Sequence, residues 1–374
     1  MVNDGQSKIR IALTEQHGVA MEYCQFPPDG VEYEFIRPFP SAHSVIRSPI
    51  KSYFGRYETK EHELIEAVLS PIFTKNKWIY YLANFQEAVA FSFLGLPILK
   101  SIRIAFITNM ILKDNFKKMI FWSNAGKDTL MSYGKIDDDR IFRKSTVVYP
   151  AIREISNVHI RFNSKKDVNL LFSGDFFRKG GVNVVDAFER IQKLFPGVRL
   201  RLCCDDKIDF NTENIVLKNE YLDKIKRNTA VILGRATRSD IMDDILPNTD
   251  IYLLPTYVEA FGYAILEAMA YGIPVIATNH FAIPEMVEHN RSGFLIDTSG
   301  YDCDRLFRGY VVKDVPRDFR EHVTDELFKY MCRLIESPNL RETFGRAGLD
   351  TARTKFSFRE RNMKMSRIYR EALA

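Results

Sequence analysis

The sequence predicts an α/β fold built on parallel sheets, and three observations carry that expectation. From Lys77 onward, short runs apolar on both faces alternate with segments of helical period, the pattern of strands buried in a parallel sheet between helices. At 374 residues the chain is too long for one ordinary core and has the length of two or three domains. Between Ala151 and Lys166 the alternation lapses into an irregular, charged stretch, which places the inter-domain linker there. The halves read as two Rossmann-like domains in series. Ligands of such sheets bind at the carboxyl ends of the strands, so the loops after strands are where chemistry is sought.

Taken in order, residues 8–13 read as a first strand, and 37–56, with scattered Pro and Arg, carry no assignment. Residues 78–82 form a strand and 85–94 a helix stopped by Gly95 and Pro97; 103–108 and 119–123 are two further strands. A helix over 126–133 and a strand over 146–148 close the first half. Beyond the linker, strands are expected at 168–173, 198–204, 231–234, 250–254 and 274–278, with helices at 182–194, 239–246 and 262–271. Residues 356–374 have helical spacing.

Composition excludes several classes. With 46% hydrophobic and 27% charged residues the chain is neither disordered, collagenous nor a coiled coil. Its 53 basic residues nearly balance 48 acidic ones, and a net charge of +5 does not describe a dedicated nucleic-acid binder. Five cysteines without Cys-x-x-Cys spacing predict free thiols, Cys203 and Cys204 buried, rather than a zinc site or a disulfide framework. Residues 88–112 are apolar but broken by Pro97, Lys100 and Arg103, and each piece is shorter than the roughly 20 residues of a spanning helix. Residues 1–8 are polar and lack an apolar signal region. The expectation is a cytoplasmic protein, with peripheral membrane contact as a variant of it.

The most informative segment runs from Asp250 to Thr278. A buried strand enters Pro255 and a loop carrying Glu259, and a helix opens near Gly262, where the backbone can approach a ligand closely. The backbone N–H groups of Ala260, Phe261 and Gly262 at that helix start would suit an anionic or hydroxyl-rich ligand. Glu267 lies in an early turn, with Gly272 as the stop. Two carboxylates flanking one helix start suit capture of a ligand rich in hydroxyls. The plain alternative has Glu259 capping the helix and Glu267 on a solvated face.

The run Glu259-Ala-Phe-Gly-Tyr-Ala-Ile-Leu-Glu267, followed by Ala-Met-Ala-x-Gly-x-Pro-Val-Ile-Ala-Thr, resembles the signature of retaining glycosyltransferases of family 4, which have the GT-B fold. The resemblance extends over Leu170-Leu-Phe-Ser-Gly-Asp-Phe-Phe-Arg-Lys-Gly-Gly181, Val231-Ile-Leu-Gly234, Ile283-Pro-Glu-Met-Val287 and Gly293-Phe-Leu-Ile296. It is strong over 169–297 and topological only over the first 150 residues. It implies two Rossmann-like domains facing a cleft: an acceptor domain over 1–155, a nucleotide-sugar domain over 156–355, and a last helix, 356–374, that crosses back to the first. It further implies that Glu259 contacts the transferred sugar and Glu267 the ribose hydroxyls. Lys179 matches the family's phosphate-binding Lys. Asp175 stands where an Arg commonly follows the Gly at position 174, so Arg178 becomes the candidate second cation. Fixed cations and a helix start would stabilise the leaving diphosphate without a metal or other cofactor; otherwise Arg178 and Lys179 form a solvated turn. The loop after Gly234 holds the base edge in the family, and Arg235 either stacks there or is a surface residue.

On the acceptor side the resemblance thins. Gly18 is the sole glycine of the loop after the first strand, His17 is a candidate beside it, and Asn109 follows Thr108 where many relatives carry a His at a strand end. Asn can donate to a sugar hydroxyl but cannot take a proton at neutral pH. Ser123 matches a common family Ser and reads equally well as a helix cap. Lys113, Lys117 and Lys118 with Phe116, Phe121 and Trp122 form either a membrane-docking patch or a buried strand behind a solvated turn. The function implied is retaining, metal-independent transfer of a hexose-type sugar from a UDP- or GDP-linked donor to a glycan, lipid-linked or small-molecule acceptor, with departure and attack on one face. The runner-up, motivated by Asp175, Asn109 and the single loop glycine, is a catalytically weak or inactive nucleotide-sugar-binding homologue acting as a subunit, with catalysis supplied elsewhere. A nicotinamide dehydrogenase is disfavoured, because no Gly-x-Gly-x-x-Gly follows either first strand.

Overall fold

The computed structural model describes residues 8–15, 18–39, 55–91, 99–162, 167–209, 214–301, 310 and 312–374. The chain divides into two units, Met1–Ala151 with Phe358–Ala374, and Ile152–Ser357. The first runs through β1 (Ile9–Leu13), α1 (Gly18–Gln25), β2 (Val31–Phe35), β3 (Leu64–Val68), β4 (Trp78–Leu82), α2 (Phe85–Ala88), α3 (Lys100–Ile111), β5 (Phe116–Phe121), α4 (Asn124–Ser132), α5 (Asp139–Arg143) and β6 (Ser145–Val147). The second runs through β7 (Asn169–Ser173), α6 (Gly181–Leu194), β8 (Arg199–Cys203), α7 (Ile215–Arg227), β9 (Val231–Leu233), α8 (Arg238–Asp240), β10 (Ile251–Leu254), α9 (Tyr263–Ala270), β11 (Val275–Thr278), β12 (Gly293–Ile296), α10 (Arg317–Glu336) and α11 (Pro338–Lys355). The last helix, α12 (Phe358–Leu373), belongs to the first unit.

Each unit holds one six-stranded sheet, in the orders β2-β1-β3-β4-β5-β6 and β12-β11-β10-β7-β8-β9, and all strand pairs in them are parallel. The central strands β3, β4, β10 and β11 are buried along their whole length, as strands covered on both faces must be. The edge strand β2, Val-Glu-Tyr-Glu-Phe, instead alternates its burial, because only one of its faces meets the core.

Two expectations are corrected and one open alternative is decided. Residues 103–108 are no strand but part of α3, whose buried residues Ile107, Met110 and Ile111 follow a helical spacing. Residues 239–246 do not form one regular α-helix: α8 gives way to a π turn, Ile241–Ile245, and a 3-10 turn, Leu246–Asn248. Phe116 and Phe121 are fully buried in the sheet core, so they are no part of a surface patch beside the lysines. The proposed helix stop at Gly95 and Pro97 and the fifth cysteine, Cys303, lie outside the described residues. Cys24, Cys203, Cys204 and Cys332 are free thiols.

In the first unit α12 lies along β3 and β5 and packs Met365, Ile368 and Tyr369 into a core shared with Ile11, Leu64 and Ile120. A polar network sits inside that core. Tyr369 donates to Glu66 Oε2 at 2.5 Å, and the Arg361 guanidinium stacks 3.4 Å above the Tyr23 ring. In the second unit the loops after β7 and β10 are pressed together. Gly180, at φ +80°, lies so close to the Pro255 carbonyl that a Cβ would come within 2.0 Å of its oxygen, and Tyr257 N–H bonds to Arg178 O at 3.1 Å.

Candidate functional site

That close approach carries Lys179 to Glu259. The Lys179 ammonium lies 2.6 Å from Glu259 Oε2 and also donates to Val258 O at 3.1 Å. Glu259 Oε1 accepts from the N–H groups of Ala260 at 2.9 Å and Phe261 at 3.3 Å. Both side chains are largely buried, 15% exposed for Lys179 and 11% for Glu259. Burial alone would raise the Glu259 carboxyl, but the Lys179 charge and hydrogen bond, with the two backbone N–H groups, hold it below the usual carboxylate range. The Ala260 and Phe261 N–H groups are therefore not open to solvent as the sequence reading has them; Glu259 itself occupies them. Gly262 caps α9 at φ +97°, a left-handed conformation suited to glycine.

Glu267, in α9, is buried rather than on a solvated face, and its Oε1 pairs with Arg238 Nη1 at 2.5 Å. Arg238 is the first residue of α8, whose start is closed by a capping box between Thr237 and Asp240, and its guanidinium lies 5.9 Å above the Tyr263 ring. Sequence reasoning names its loop but not this role. No spacing rule links positions 238 and 267; only the folded β9 loop brings them together.

At the carboxyl ends of β7, β8 and β9 lies a cavity of about 350 Å³, lined by Gly174, Asp175, Arg178, Cys203, Asp205 and Arg235 among others. Gly174, at φ +113°, donates its N–H to Cys203 O, and Gly234 donates to Leu202 O, so the start of each loop stays tied to β8 before the chain turns away. Arg178 Nε sits 3.6 Å from the buried Asp175 carboxylate, and Arg235 Nη2 sits 3.1 Å from Asp205. Every cation the sequence reading places here thus faces a carboxylate. Burial pushes the Cys203 thiol up and the Cys204 thiol up to about 12, so both stay protonated and are poor nucleophiles near neutral pH. No group of three or more His, Cys, Asp or Glu side chains that would hold a metal ion occurs among the described residues.

The acceptor-side candidates fare unequally. Gly18 opens α1 after β1, and His17 lies outside the described residues. Ser123 is fully buried after β5 and spends its oxygen on Gly126 N–H at 2.9 Å, the cap of α4. Asn109 is exposed on α3 and follows no strand. Two residues beyond the middle strand β4 stands Asn84, buried, with its side chain capping α2 through Glu87 N–H at 3.2 Å. Its signal was available: Asn84 and Glu87 form an Asn-x-x-Glu helix start straight after an apolar run.

Residues 155–306 match the family described as Glycosyl transferases group 1. Among curated proteins, a sucrose synthase of Nitrosomonas europaea is 30% identical over 157 residues, 41% of this chain and 17% of its own length. An uncharacterized glycosyltransferase of Methanocaldococcus jannaschii is 27% identical over 270 residues, covering 70% of this chain and 65% of that protein. The chain thus spans less than two thirds of either relative's length. Among solved structures, Anabaena HepE in complex with UDP-glucose superposes with a TM-score of 0.61 at 15% identity, over 97% of this chain and 99% of HepE. The two parallel six-stranded sheets with flanking helices are those of the GT-B glycosyltransferase fold.

Proposed function

We propose that this protein is a retaining glycosyltransferase that takes a nucleotide-diphosphate sugar as donor and transfers a hexose-type sugar, without a metal, to a glycan, lipid-linked or small-molecule acceptor. The observation that carries the reading is the convergence of Lys179, Glu259 and the Ala260 and Phe261 N–H groups beside a cavity at the strand ends, within the segment that matches glycosyltransferases. HepE, a structural neighbour, is seen with UDP-glucose, which supports a UDP-linked donor.

In this reading the cavity takes the nucleoside, Glu267 takes the ribose hydroxyls, and Lys179 faces the diphosphate. As the bond to the sugar breaks, negative charge grows on the leaving diphosphate. A fixed ammonium in a largely buried site stabilises that charge with little reorganisation. Arg178 adds a second cation once its weak contact with Asp175 is exchanged for phosphate, and the Glu259 carboxylate accepts from sugar hydroxyls. Attack and departure on the same face of the sugar preserve the anomeric configuration.

The test is release of nucleoside diphosphate from UDP-, GDP- and ADP-sugars by the wild-type protein and by Glu259→Ala. Wild type is expected to turn over one donor class, and the variant to lose at least about a hundredfold. Equal turnover in the two proteins would sink the assignment.

A further inference from the structure

Lys179 and the two N–H groups form a donor set fit for a phosphate oxygen pair: an ammonium aimed at one oxygen of a single anion and two backbone donors aimed at the other. Without donor, the anion at that point is the Glu259 carboxylate, with Oε2 on Lys179 at 2.6 Å and Oε1 on Ala260 and Phe261. We propose that Glu259 is the resident counter-ion of the diphosphate seat. A donor diphosphate displaces its carboxylate from Lys179 and the N–H groups, and the released carboxylate becomes available to the sugar. The inference rests on the function proposed above.

Three features support an exchange rather than a simple opening. The pair is largely buried, so Lys179 cannot lose Glu259 cheaply unless another anion replaces it. The Lys179 stem runs past Gly174, where a Cβ would come within 3.3 Å of Lys179 Cγ, and Gly174 also lines the cavity. A nucleotide seated there therefore lies beside the Lys179 side chain, whose ammonium is within its reach. Finally, Glu259 sits on the loop before α9 and makes its N–H contacts to its own two neighbours, so side-chain rotation alone releases them. Donor binding and arming of the carboxylate thereby become one event, and an empty site keeps its carboxylate neutralised.

The readout is binding of ligands that carry no sugar: UDP, GDP, ADP and inorganic pyrophosphate, titrated at fixed ionic strength into the full chain. A residue that only contacts sugar leaves these affinities unchanged on substitution, and a residue that only shapes the loop weakens them. As a competitor for the seat, Glu259→Gln is expected to bind the preferred nucleoside diphosphate and pyrophosphate at least tenfold tighter than wild type while losing transfer. Glu259→Asp, which keeps the charge but retracts it, serves as the second variant and is expected to tighten binding two- to fivefold. Unchanged or weaker diphosphate binding in a folded variant, alongside clear binding by wild type, overturns the exchange and leaves the donor site standing. Absence of binding by wild type and variants to all four probes overturns the donor site and the exchange together.

Discussion

Glu66 in the first unit and Glu259 in the second are both buried glutamates near a cation, and their carboxyls are driven in opposite directions. Glu66, on β3, is pushed above the usual carboxylate range, because burial outweighs the Arg361 charge and the Tyr369 hydrogen bond. Glu259 is held below that range because Lys179 touches it and two backbone N–H groups add to the ammonium. The difference lies in contact. Arg361 stacks on the Tyr23 ring and donates to Asn362, and it acts on Glu66 through its charge without a hydrogen bond; among the described residues one oxygen of Glu66 has no hydrogen-bond partner. The first arrangement fixes a helix on a sheet among tyrosines, whose own hydroxyls burial raises to about 12 for Tyr23 and Tyr33. The second holds a paired charge at the start of α9, where the loops after β7 and β10 meet.

The largest effect expected from this contrast is on stability. Arg361→Met removes the cation from a site that is 2% exposed and leaves Glu66 in an apolar core, at a cost of about 3–5 kcal/mol in urea unfolding. Adding Glu66→Gln should recover most of that loss, since a neutral, well-packed replacement of a buried charged pair is often close to neutral. Failure of the double variant to recover would show that Arg361 acts through its packing on Tyr23 rather than through its charge.

Legibility in the sequence follows the same division between local and tertiary. Glu259 and Glu267 stand out because motif, helix start and helix stop fall within one continuous stretch, and Lys179 stands out beside its glycines. The partners that give them their chemistry do not: Lys179 meets Glu259 across 80 positions and Arg238 meets Glu267 across 29. Arg361 is invisible, since an Arg in an amphipathic helix reads as solvated, and Glu66 hides inside the apolar strand Leu-Ile-Glu-Ala-Val. Strands β7 to β11 of the second unit are read to within one residue at either end, and β10 and β11 stand out because both their faces are apolar. β2 escapes because an edge strand with alternating glutamates resembles a loop, and α3 is misread because Ile104, Phe106 and Ile107 mimic a strand over the few residues considered.

A second pair of variants tests the opposite signs by pH. Glu66 has a folded pKa above the unfolded value of about 4.3, so its contribution is full below that pH and is lost as pH rises through the folded value. Glu259 has a folded pKa below its unfolded value, so its contribution is present above about pH 4.3 and is lost as pH falls through the folded value. The stability of wild type relative to Glu66→Gln should therefore decline with rising pH, and that relative to Glu259→Gln should increase. Urea midpoints from pH 3 to 8 for the three proteins read both slopes, and slopes of equal sign would break the contrast.

The smallest expected effect separates two asparagines of the first unit. Asn109 is exposed on α3, and Asn109→Ala should change stability by less than about 0.5 kcal/mol and leave transfer at the wild-type rate. Asn84, fully buried at the end of β4, accepts from Glu87 N–H and donates to Glu87 Oε1 at 3.1 Å, so Asn84→Ala should cost about 1 kcal/mol through the lost cap. Unfolding curves and transfer rates for the two variants decide the matter. A loss of transfer in Asn109→Ala at unchanged stability would return an acceptor contact to that position on α3. The expected result moves the search to the loops after β1, β4 and β5, where Gly18, Asn84 and Ser123 stand at the carboxyl ends of their strands.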